Sequence, residues 1–172
     1  MSLKEIEQAV TSGAFPAGNE SWRDAVEQRM ELNEAARNFI GKGVDATLVT
    51  INPDGSPQVS LVWVALQPTP DGDELVSAHL ADYKKLRNIR NDSRVAVTIV
   101  AVDGPHAETK PRPYLSINGT ARIVEGGAPE RLTELNAVLG QPGVQFPPDD
   151  APPGYLNRIR IEKVGGFGPW VV

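Results

Sequence analysis

No cysteine occurs among the 172 residues, which excludes disulfides, thiolate metal sites and cysteine nucleophiles. Histidine is scarce. His79 and His106 are the only two, too few for a histidine-rich metal centre. No apolar run reaches the length of a membrane span, and the N-terminus lacks the apolar core of a signal peptide, so a cytoplasmic protein with no membrane partner is expected. Net positive charge is missing too. The formal net charge is -5 and the pI near 5.1, which argues against a nucleic-acid partner. No pair of carboxylates and no nucleophile–base set stands out. What remains is a globular composition, 40% hydrophobic and 23% charged, sufficient for one domain over residues 1–172 with one sizeable core.

Capping signals divide the N-terminal part. Ser2 with Glu5 predicts a short helix over residues 2–10. Ser21, with Asp24 at the third helical position and an apolar stripe ending at Ile40, predicts a helix over 21–40 that Gly41 and Gly43 stop. Together these form a helical extension over about 2–40. The period then changes to two. Strands are predicted over 46–51, 57–66, 74–80, 94–102, 112–124 and 156–164, with a helix over 129–139. Asn52-Pro53-Asp54-Gly55 turns the first hairpin, with Pro presetting φ and Gly taking a positive φ. Residues 67–72 form a second turn. His106 falls in a polar loop over 103–111. Proline, 15 in all, clusters between Gln141 and Pro153 and marks a long irregular segment. Six short strands without regular helical crossovers predict a mainly β fold: an antiparallel barrel with flanking helices.

Within this acidic chain lies a knot of positive charge. Tyr83 to Arg94 carries five cations in twelve residues. It reads as a short helix with Asp82 as N-cap and Tyr83, Leu86 and Ile89 at helical spacing. Lys84 and Lys85 then sit in the first turn, where the macrodipole disfavours cations. A bound anion reverses that sign, because backbone N–H groups and two ammonium groups make a phosphate seat. A solvated basic helix face is the competing reading.

The helix, Ala46-Thr47-Leu48-Val49-Thr50, Asp54-Gly55-Ser56-Pro57-Gln58-Val59-Ser60-Leu61-Val62-Trp63, the Lys84-Lys85-Leu86-Arg87-Asn88-Ile89-Arg90 string and Ile117-Asn118-Gly119-Thr120-Ala121 follow one another in that order. This order resembles the split β-barrel flavin and deazaflavin oxidoreductases of the pyridoxamine 5′-phosphate oxidase-like superfamily. The Lys-x-Arg-Asn string and the closing Gly166-Phe167-Gly168 are most similar to the actinobacterial enzymes that use coenzyme F420. The resemblance implies a six-stranded split barrel and a homodimer with two cofactor sites in its interface. It implies that Lys85, with Lys84 beside it, holds the cofactor phosphate. It also implies that Gln58, Val59, Ser60 and Val62 line the ring system, and that Ala78 and His79 lie at the end of the strand feeding the phosphate helix. His79 and Tyr83 depart from the family pattern, in which those positions are small, hydroxyl-bearing or arginine.

Other residues carry two readings each. Arg87 reaches the phosphate or an acidic cofactor tail, or forms a surface ion pair with Asp82 or Asp92. Arg90 and Arg94 are solvated or paired. Trp63 floors a substrate pocket or packs in the core. Trp170 covers a partner's pocket or packs on its own barrel. Gly119 lets another backbone, or a ring, come close. The implied activity is hydride transfer between F420 and a small or medium-sized unsaturated organic substrate. The lack of catalytic side chains fits such a reaction, because the cofactor carries the hard chemistry. The alternatives are an FMN-dependent oxidase or reductase on the same barrel, and a flavin, deazaflavin or haem-binding protein without turnover. Pyridoxamine phosphate oxidation needs a second phosphate-binding cluster, for which the C-terminal segment offers only Arg158, Arg160 and Lys163.

Overall fold

The computed structural model describes residues 32–102 and 112–170. Six strands, β1 (Val44–Ile51), β2 (Pro57–Thr69), β3 (Gly72–His79), β4 (Arg94–Val100), β5 (Tyr114–Glu125) and β6 (Tyr155–Phe167), close in the order β1-β2-β3-β6-β5-β4. Every pairing is antiparallel. Among the described residues three helices flank the barrel: α1 (Glu34–Ile40), α2 (Lys84–Asn91) and α3 (Ala128–Leu139). The expected split barrel is therefore the observed architecture.

Alternation builds it. Ala46, Leu48, Val62, Val64, Val97, Ile99, Leu115, Ile117 and Ile159 all point inward and form one continuous core. Each of the valine, leucine and isoleucine side chains contributes about 1.5–3 kcal/mol by leaving water. α1 adds Ala36 and Ile40 to that core, while α3 packs Ala128 and Leu132 against Ala78 on the barrel's outside.

Several boundaries differ from the sequence expectation. Asn33, in extended conformation, caps α1 through a 2.9 Å bond from the Ala36 N–H to its side-chain oxygen. The helix that contains Ile40 therefore begins at Glu34, not at residue 21, because the Asn33 side chain competes with the backbone for that N–H. The helix predicted over 2–10, the start of the one predicted at 21 and His106 lie outside the described residues. β2 and β3 run on to Thr69 and Gly72, which leaves Pro70-Asp71 as a two-residue turn. β6 continues through Gly165 and Gly166 to Phe167. Gly166 has φ 113°, and a side chain there would collide with the Tyr114 carbonyl, so glycine alone lets this stretch pair.

Gly119 has a different reason. β6 bulges at Glu162, opposite the step from Asn118 to Gly119 on β5, and a Cβ at Gly119 would overlap the Arg160 carbonyl. Of the two expectations for this residue, close approach by a backbone is the one observed.

Candidate functional site

The barrel is split where β2 leaves β3. Their ladder stops at Ala65 and Val76. Beyond it, among the described residues, Pro57–Val64 pairs only with β1, and Ser77–His79 only with β6. A strand with an unpaired edge offers backbone N–H and C=O groups to a ligand. A cleft of about 270 Å³ opens at this place. Its lining is apolar at Leu61, Val62, Trp63, Ala78, Leu132 and Phe146 and polar at Asp45, His79 and Lys85.

Lys85 enters the cleft from the first turn of α2. It is half-buried, and its ammonium lies 4.7 Å from the centre of the Tyr83 ring. Burial holds its pKa below the usual lysine value. Among the described residues no carboxylate pairs with it. Among the described residues no side chain caps α2, whose N-cap is Tyr83. The predicted cap, Asp82, is a correction. Its carboxylate turns instead to Arg90, at 2.6 Å, and to Arg87, at 3.8 Å. A half-buried cation beside helical N–H groups gives this end of α2 the electrostatics to attract an anion.

His79 stands next to it. The imidazole is 7% exposed, its Nε2 lies 3.0 Å from the Ser77 hydroxyl, and its ring meets Tyr83 edge-on at 6.2 Å. Burial, reinforced by the Lys85 charge, lowers its pKa to about 3. His79 is thus a neutral hydrogen-bonding group at physiological pH, not a cation.

The remaining predicted residues separate. Val62, Trp63, Ala78, His79 and Lys85 come together around the cleft. Lys84 does not join them. It is exposed, and its charge adds only weakly to the bonds from Ser56 that hold the Asp54 carboxyl in the β1–β2 turn low. Arg87 is exposed and donates to the Asp82 carbonyl, so its surface reading holds in this structure. Arg90 and Arg94 pair with Asp82 and Asp92. Val59 projects from the outer face, 65% exposed, and Ser60 is half-buried on the face opposite it. The Gln58 side-chain oxygen accepts a 2.8 Å bond from Asn88 and so belongs to the framework behind the cleft. Trp63 meets Phe146 edge-to-face at 6.0 Å.

Trp170 is a correction. It stacks on Phe39 at 4.5 Å, donates its indole N–H to the Tyr114 carbonyl at 2.7 Å and is only 5% exposed. An aromatic ring with both its face and its N–H satisfied inside its own barrel has nothing left to offer a substrate. Phe146, Leu132, Leu61 and Asp45 line the cleft without having been singled out. Phe146 lies in the proline-rich segment, where no periodicity exists to assign it a direction.

The chain belongs to the pyridoxamine 5′-phosphate oxidase-like split-barrel superfamily. The family model described as pyridoxamine 5′-phosphate oxidase matches residues 32–165, well over half of the chain. Among solved structures, an F420 reductase is 24% identical, with a TM-score of 0.57 over 88% of this chain and 98% of that one. A conserved hypothetical protein from Mycobacterium tuberculosis is 25% identical, with a TM-score of 0.54 over 81% of this chain and 88% of that one. HupZ from Group A Streptococcus is 16% identical, with a TM-score of 0.54 over 81% of this chain and 97% of that one. No curated protein matches the chain. Among the described residues, no helix is long and apolar enough to cross a membrane.

Proposed function

We propose that this chain is an F420-dependent oxidoreductase that moves a hydride between the deazaflavin and a small or medium-sized unsaturated organic substrate. The observation that carries the reading is Lys85: a half-buried ammonium with no carboxylate partner among the described residues, aimed into the cleft where the barrel splits. The donor set fits a phosphate-bearing ring cofactor. Lys85 and the α2 N-terminus face the anion, while the free edge of β2 and the outward side chain of Trp63 face the ring. The cofactor supplies the hydride chemistry when bound. The protein binds, orients and excludes water, for which Leu61, Leu132 and Phe146 form the apolar wall.

The working unit is a homodimer. Val59 and Leu61, 65% and 73% exposed, share an outer sheet face with Val49 and Val100. A monomer rarely leaves such a face to water. The cleft of about 270 Å³ is also small for a cofactor and a substrate together. A second copy laid on that face supplies the missing wall.

The test is turnover. Purified protein with reduced F420 and a panel of enones and quinones is expected to consume the reduced cofactor. Saturable binding without consumption would support the carrier reading, and consumption of reduced FMN but not reduced F420 would support the flavin enzyme.

A further inference from the structure

α2 carries a second polar residue with a demanding environment, one turn after Lys85 on the same side of the helix. Asn88 is 2% exposed, flanked on the buried face by Leu86 and Ile89. Its side-chain Nδ2 lies 2.8 Å from Gln58 Oε1 on β2, 3.0 Å from Asn52 Oδ1 in the β1–β2 turn and 3.1 Å from Thr50 Oγ1 on β1. Thr50 is itself fully buried. Two amide hydrogens thus face three oxygens, all from one hairpin.

An apolar residue would fill this space as well as asparagine. It would not fix the helix in rotation or along the hairpin, because apolar contact has no direction. Two directional N–H bonds, shared among three close oxygens, do fix both. What they fix is specific. Lys85 stands three residues before Asn88, and the unpaired edge of β2 begins at Gln58's end of the strand. The Asn88–Gln58 bond is the direct link between the element that carries the cation and the strand that carries the free edge.

We infer that Asn88 is a positioning residue: it sets the spacing between the anion seat at Lys85 and the ring-facing edge of β2, so that one ligand reaches both. The inference rests on the proposed function above. Asn88 touches neither end of the ligand. A ligand with an anionic end and a ring end is bivalent, and its second contact is strengthened only while the two subsites stay at the distance its own chain spans.

The test is a split between the intact ligand and its pieces. Parent and Asn88→Ala are titrated with F420 (or FMN, if the parent binds it more tightly), with the same ring and ribityl chain lacking phosphate, and with inorganic phosphate as a competitor. Circular dichroism melts run alongside. Asn88→Ala is expected to weaken the intact cofactor about tenfold or more, while each piece binds within about twofold of the parent. If Asn88→Ala does not fold, Gln58→Met takes its place: it removes the β2 acceptor and leaves Asn88 bonded to Thr50 and Asn52. Equal losses for the intact cofactor and both pieces, or no loss for any, would overturn the positioning role. A parent that binds neither cofactor would instead sink the functional reading, and the two failures cannot be confused.

Discussion

At the scale of single residues, charge and burial decide which side chains can act. Lys84 and Lys85 are neighbours in sequence, yet only Lys85 enters the cleft, because successive helical positions point about 100° apart. The charge run was legible in the sequence, but the division of labour within it needed the helix phase. His79 is the clearest pH handle. Its pKa is about 3 in the folded chain against 6.5 for the free side chain. The unfolded chain therefore binds the extra proton first as the pH falls. The neutral imidazole's contribution to stability is complete above pH 6.5 and is lost as the pH drops toward about 3. Chemical denaturation at a series of pH values is expected to show stability declining across that window. His79→Gln is expected to flatten the decline, and an equally steep decline in the variant would assign it to other groups.

At the scale of elements, the six strands and the hairpin turn followed from period-two alternation and from Asn52-Pro53-Asp54-Gly55. The ends did not. The strand predicted over 156–164 stops short of Gly165 and Gly166, yet both extend β6, and the missing side chain at Gly166 is what admits the Tyr114 backbone. Asn88 was legible in principle as a polar residue on the buried stripe of Leu86 and Ile89, but nothing local names its three partners, which lie 30 to 38 residues away. Phe146 gave no local signal at all. The bulge opposite Gly119 yields a stability prediction. Gly119→Ala forces β6 away from β5 and is expected to cost at least about 1–3 kcal/mol in thermal or denaturant unfolding. An unchanged melting temperature would show that the two strands separate freely at this point.

At the scale of the whole molecule, two features meet at one edge of the barrel. The split gives β2 a free edge and opens the cleft, and the outer face of the same strand carries exposed Val59 and Leu61. Association and cofactor binding are thereby coupled in the proposed dimer. Val59→Glu places a charge on that face without touching the core. Analytical ultracentrifugation is expected to show a shift to monomer, with weaker cofactor binding in the same variant. A dimer that survives the substitution would move the interface elsewhere.

The most direct test of the account remains the cation in the cleft. Titration of F420 by its intrinsic fluorescence, with FMN in parallel, against the parent and Lys85→Ala reads it in one experiment. The account predicts saturable binding, tighter for F420 than for FMN, and weakened by about 1.5–3 kcal/mol in Lys85→Ala. Equal affinity in the parent and the variant would contradict it.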